Sequence, residues 1–212
     1  VGQVLALDAL NGVSAAYQYA VGPIVLATSL LRSEEDIQFV FSPVFNELWQ
    51  EIEPPVHTYV STGFVYDAAL KEISGSDRIN RVRKQLQDKG ARFILCFFDE
   101  NSVNRWDIYA SDEGAAQDYE YLLKWLLKDP LLGLIFKPKK STNLFQRIDR
   151  LSGLIEKARQ TGRCQFLTSD TIVGSIYPAE AALMADICIG KLDGGTAGME
   201  AFLAGVPTVL ID

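Results

Sequence analysis

The sequence predicts an α/β protein built on a doubly wound, Rossmann-like parallel sheet. Short apolar segments alternate with helix-length segments over residues 92–211, the order that generates βαβ units with helices on both faces. Arg92 to Phe98 runs apolar after its first residue without alternating, as a strand covered on both faces requires. Gly-Val-Pro at 205–207 separates a helical segment from a further apolar run, because glycine ends helices and proline cannot continue them.

The elements follow in order. Val13 to Ala20 reads as a helix, Gly22-Pro23 as a break and Ile24 to Ala27 as a strand. Ser33 to Asp36 is a polar turn, Gln38 to Phe41 a strand, and Pro43 to Glu51 a helix with proline in its first turn. Pro54-Pro55 precedes the strand Val56 to Val60, and Ser74 to Asp77 is a turn that caps the basic helix Arg78 to Lys89. After the strand Arg92 to Phe98, a loop from Asp99 to Asp112 enters the amphipathic helix Gly114 to Leu127. Strand Leu132 to Phe136, helix Leu144 to Arg159 and strand Gln165 to Leu167 continue the alternation. Helix Tyr177 to Met184, strand Ile187 to Ile189, helix Thr196 to Ala204 and buried strand Val206 to Ile211 complete it.

In such sheets ligands bind beyond the carboxyl ends of the strands. Four polar clusters are expected on that edge: Asp99-Glu100-Asn101, Lys137 with Lys139 and Lys140, Thr168-Ser169-Asp170, and Lys191 to Thr196. Gly194 and Gly195 permit a sharp turn or close backbone approach to a ligand. Thr196 is read as the cap of a helix whose free N–H groups attract an anion. Glu200 lies one turn further on the same face, among the core-like Ala201, Phe202 and Leu203. A carboxylate there suits a ribose diol while the glycine turn holds a diphosphate.

The run from Ala185 to Asp212 resembles the nucleotide-binding signature of GT-B glycosyltransferases, a small-Gly-Thr-Ala-Gly-x-Glu-Ala turn and helix before Gly-x-Pro. The likeness is closest to the bacterial surface-polysaccharide type. It implies a GT-B C-terminal, nucleotide-sugar-binding domain over 63–212, preceded by a remnant of the N-terminal, acceptor-side domain and hinge over 1–62. It further implies transfer of a sugar from a UDP- or CMP-type donor to a glycan or lipid-linked acceptor. Polysaccharide biosynthesis of the cell envelope would place the protein in the cytoplasm or peripherally at the inner face of the membrane. Lys137, Gly194, Gly195, Thr196 and Glu200 would bind the nucleotide. Related transferases often have Lys-x-His-Pro where this chain has Lys137-Pro138 without histidine, so Lys137 stands in as the phosphate contact, a point charge against the leaving diphosphate. Ser61, Thr62 and Gly63 would meet the donor from the hinge, with Asp99, Glu100, Lys139 and Ser169 as further cleft candidates. His57, the single histidine, is a lesser candidate for the base that takes the acceptor proton.

Composition bounds these readings. A net charge of −7 and a pI near 4.8 argue against nucleic acid as a partner, which calls for a basic surface. Cys96, Cys164 and Cys188 read as buried reduced thiols, and Tyr17, Tyr19 and Trp49 as core or interface aromatics. No Walker, dinucleotide or nucleophile-elbow motif occurs, and no metal-ligand pattern, so neither cofactor nor metal is expected beyond the donor itself. No apolar run reaches membrane length. Val1 opens without methionine and Asp212 follows directly on a strand, so a truncated chain is expected, and the fragment alone need not turn over. A sugar-nucleotide 2-epimerase shares fold and ligand but calls for more acidic residues and histidine around the sugar. A non-catalytic nucleotide-sugar-binding domain of a polysaccharide-assembly protein is the third reading.

Overall fold

A computed structural model describes residues 2–18, 35–51, 56–100, 111–168, 176–192 and 195–211. The expected strand at Ile24 to Ala27, Tyr19, Asn101, Ser169, Asp170, Asp193, Gly194 and the side chain of Trp49 lie outside the described residues. The chain forms two compact units, Val1–Ala69 and Leu70–Asp212.

In the first unit α1 (Gly2–Asp8) precedes β1 (Ala15–Tyr17), β2 (Ile37–Val40), α2 (Pro43–Glu51) and β3 (Thr58–Ser61). The strands form a parallel sheet in the order β1-β2-β3. The helix expected from Val13 is instead β1. Asn11 turns left-handed at φ 53° and ends the α1 excursion, and Ser14 then exchanges hydrogen bonds with Asp36 at 2.8–3.0 Å. That polar stitch and the ladder to β2 override the helix propensity of Ala15-Ala16, which is a weak prior. The packed aromatics are Tyr17, Phe45 and Phe64 around Phe41.

α3 (Asp67–Ser74) follows, a helix without a fully buried residue. The second unit continues with α4 (Asp77–Asp88), β4 (Phe93–Phe98), α5 (Asp112–Lys128), β5 (Leu132–Lys137), α6 (Leu144–Arg147), α7 (Ser152–Gln160) and β6 (Cys164–Phe166). It closes with α8 (Pro178–Leu183), β7 (Ile187–Lys191), α9 (Thr196–Leu203) and β8 (Thr208–Ile211). The five strands are all parallel, in the order β6-β5-β4-β7-β8. This is the doubly wound order, and the chain reverses direction across the sheet between β4 and β7.

Side-chain alternation along β4 separates two cores. Leu95 and Phe97 pack with α5, α6 and α7, while Ile94, Cys96 and Phe98 pack with α4, α8 and α9. The three cysteines are buried free thiols, and burial pushes Cys164 up to about 12. Arg163 closes the far end of α5 by donating to the carbonyls of Asp129, Leu132 and Leu126, a favourable place for a cation.

The helix expected over Leu144 to Arg159 breaks at Ile148 (φ −116°, ψ 27°) into α6, a 3-10 turn at Asp149–Leu151, and α7. Leu144, Ile148, Leu151, Ile155 and Ala158 still share one core, so apolar spacing survives a break it cannot reveal. Ser76, not Asp77, holds the N-cap position of α4, and its hydroxyl meets Glu180 at 3.0 Å instead of capping. Gly195, not Thr196, is the N-cap residue of α9. Phe202 and Leu203 are exposed and not core. The strand β8, read as buried, exposes Val209 and Leu210 because it lies at the sheet edge.

Candidate functional site at the carboxyl edge of the five-stranded sheet

The strand order puts the crevice where ligands bind beyond the ends of β4 and β7. Asp99 and Glu100 leave β4, Lys137 is the last residue of neighbouring β5, and Lys191 is the last of β7. Gly195 opens α9, which carries Glu200. The polar clusters after β4, β5 and β7 therefore share one edge. Thr168 lies past β6, at the outer end of that edge.

Glu200 is 5% exposed. Its Oε1 accepts the backbone N–H of Ala179 at 3.0 Å, one of the donors left open in the first turn of α8. Burial pushes the carboxyl above the ordinary glutamate value, while the Ala179 N–H and the charge of Lys137 act against it. Lys137 is its counterpart. Burial lowers the ammonium, and the charges of Asp99, Cys96 and Glu200 oppose that shift. Lys137 Nζ donates to Pro138 O at 3.1 Å, within its own turn.

Asp99 is more heavily engaged. Oδ1 accepts the backbone N–H of Lys139 at 2.6 Å, and Oδ2 accepts Tyr119 Oη at 3.0 Å and Arg147 Nη2 at 2.9 Å. Burial raises its carboxyl against the pull of Arg147, the Lys139 N–H and the Tyr119 hydroxyl. The Tyr119 phenol is pushed well up by burial and by the Asp99 charge. Lys139 Nζ pairs with Glu100, and Lys191 with Asp118 at 2.8 Å. The expected cleft residues Asp99, Glu100 and Lys139 thus bind one another.

In the first unit, Ser61, Thr62 and Gly63 stand at the carboxyl end of β3, where Thr62 N–H meets Val40 O at 2.9 Å and Gly63 turns at φ 79°. His57 precedes β3 and so lies at the amino edge of the same sheet, electrostatically near Asp36.

Arg147, Tyr119 and the bond from the Ala179 N–H to Glu200 escaped sequence reading. Tyr119 carried a usable signal. It falls in the apolar stripe Ala116, Leu122, Leu123 and Leu126, and a buried tyrosine needs a partner for its hydroxyl. Arg147 carried none, since its burial depends on the break at Ile148. Among the described residues, no group of three or more His, Cys, Asp or Glu side chains is placed to hold a metal ion, and no helix is long and apolar enough to cross a membrane.

No family model and no curated protein matches the chain by sequence. Solved structures do. Anabaena HepE, in complex with UDP and glucose, matches over 98% of this chain and 55% of HepE at 15% identity, with a TM-score of 0.56. A second HepE structure, with UDP-glucose, covers 98% and 56% at 15% identity and a TM-score of 0.54. The α,α-trehalose 6-phosphate synthase of Burkholderia multivorans covers 98% and 53% at 13% identity and a TM-score of 0.53. The chain spans about half the length of the solved structures it matches. At these identities the likeness establishes the fold, which is α/β and Rossmann-like, of the GT-B type.

Proposed function

We propose that this chain is the nucleotide-sugar-binding part of a glycosyltransferase. The observation that supports it most is the placing of Glu200 and Lys137 on one edge of the sheet. They are a buried carboxylate and a half-buried ammonium from different elements at the carboxyl edge of a doubly wound sheet; burial acts most on each, and each charge acts on the other to a lesser degree. Ionisable groups perturbed by burial in such a crevice mark functional sites more often than the surface at large. The solved neighbour HepE holds UDP and UDP-glucose, which favours a nucleotide sugar over other anions.

In this reading Glu200 accepts hydrogen bonds from the ribose hydroxyls with the carboxylate oxygen that does not meet Ala179. The Gly195-Thr196 turn gives its backbone to the diphosphate, and Lys137 neutralises the charge that develops on the leaving diphosphate as the glycosidic bond breaks. The donor is itself the substrate, and the reading uses no separate cofactor. The acceptor is a glycan or lipid-linked saccharide of the cell envelope, met in the cytoplasm or at the inner membrane face, as the resemblance of the Ala185–Asp212 run implies.

Calorimetric titration of UDP and CMP into the chain tests the site, and nucleotide release from nucleotide sugars by the longer protein tests the activity. Saturable binding of one nucleotide, weakened in Lys137→Ala, is expected. Failure of every nucleotide to bind would overturn the reading. A C2-inverted sugar nucleotide formed without acceptor would replace transfer by epimerisation, and binding without any turnover would leave a sensing domain.

A further inference from the structure

We infer that Arg147 and Tyr119, acting through Asp99, are positioning residues that set the Lys137-Pro138-Lys139 turn for a diphosphate. The inference rests on the assignment of Lys137 to the phosphates made above.

The carboxylate of Asp99 joins three separate elements. Oδ2 is held by Tyr119 from α5 and by Arg147 from α6, leaving Oδ1 to take the Lys139 N–H at 2.6 Å. The side chains of Arg147 and Asp99 are only 4% and 3% exposed, so water does not compete for these bonds. Arg147 also reaches the backbone of Glu100 with Nη1 at 3.5 Å, and Glu100 in turn takes the ammonium of Lys139. Both the backbone and the side chain of Lys139 are thereby committed to the segment leaving β4. Phe98 and Lys137 are paired across β4 and β5, so this clamp closes just past the last rung of the ladder, one residue on from β4 and two on from β5. Tyr119 cannot swing away, because its ring stacks on Phe136 at 4.8 Å between centroids. A turn fastened on both sides fixes the backbone from which Lys137 projects, and a cation held in place stabilises charge without reorganising.

The test uses the full chain with UDP and uridine as probes, in Arg147→Lys and Tyr119→Phe, each with and without Lys137→Ala. Both single substitutions keep the size of the side chain, and Tyr119→Phe keeps the ring stack should Arg147→Lys fail to fold. Each is expected to weaken UDP by roughly three- to tenfold, within the range of coupled neighbouring sites. Uridine affinity should not change, and the UDP effect should vanish once Lys137 is alanine. A scaffold role alone would lower UDP and uridine together, or keep its full effect in the Lys137→Ala background, and either result overturns the inference. So does unchanged UDP affinity in a folded variant. Should Lys137→Ala itself bind UDP as tightly as the unsubstituted chain, the phosphate assignment falls first and this inference falls with it.

Discussion

Asp99 and Glu200 are both 5% exposed and lie on the same edge of the same sheet, yet they are occupied differently. Three donors from α5, α6 and the turn after β5 meet Asp99. Among the described residues, a single backbone N–H from α8 meets Glu200. A carboxylate accepts about four hydrogen bonds when ionised, so Asp99 is nearly saturated and Glu200 is not. Burial alone therefore does not separate a brace from a binding group. The number of donors already in place does.

The largest effect that would sharpen this contrast is expected from Asp99→Ala. It strands the buried Arg147 guanidinium and leaves the Tyr119 hydroxyl and Lys139 N–H unpaired, a loss of about 3–5 kcal/mol. Urea unfolding should show the midpoint fall with an unchanged slope, and a loss below about 1 kcal/mol, typical of an exposed pair, would break the comparison. Glu200→Gln should behave in the opposite way. Nucleotide affinity drops by about one to two decades through loss of a charged hydrogen bond, while stability near neutral pH rises.

The sign of that stability change follows from burial, which lifts the Glu200 carboxyl above the ordinary glutamate value. Between the ordinary and the lifted value the folded chain keeps a proton that the unfolded chain has released. The stability this lends is complete below the ordinary value and is lost as pH rises through the folded one. The melting-temperature advantage of Glu200→Gln should accordingly grow from acid toward neutral pH. An advantage independent of pH would show that Glu200 is as well compensated as Asp99.

Two smaller effects probe the supports. Gly205 closes α9 at φ 84°, with its N–H on Phe202 O and the next N–H on Ala201 O, the double bond pattern of a glycine-terminated helix. Gly205→Ala forces a side chain into that conformation at about 1–2 kcal/mol, and circular-dichroism melts should show it. Smallest of all is Lys139→Ala, whose side chain is 59% exposed beside Glu100 and whose pair is worth about 0–1 kcal/mol. UDP titration should find it far less harmful than Lys137→Ala. Equal losses would mean that the ion pair opens to the ligand.

Much of the fold was legible because its determinants are local. β4, α5 and β5 each pair an unbroken apolar run or stripe with a polar boundary, and Pro43 and Pro178 mark the starts of α2 and α8. Where the sequence misled, the deciding contact was remote. The Ser14–Asp36 stitch spans 22 residues and turned an alanine-rich segment into β1. The same holds at the site. The carboxyl-edge rule collected Asp99 and Lys137 and helix register added Glu200, but the Arg147–Asp99 bond spans 48 residues and the Ala179–Glu200 bond 21, so no spacing encodes which carboxylate is already taken. Nor does an apolar helix reveal its wet side. Phe202 is 68% exposed although it adjoins the buried Glu200 and Ala201.

The bond from Ala179 N–H to Glu200 gives the molecule a built-in gauge of that carboxyl group. An ionised carboxylate is a stronger acceptor than its protonated form, and the amide sits in the first turn of α8, where no helical carbonyl can replace the lost partner. Its proton resonance and its rate of exchange with deuterated solvent therefore follow the state of a side chain 21 residues away. One backbone amide would register acid titration of Glu200 and any swing of the carboxylate away from α8, without labelling the group itself.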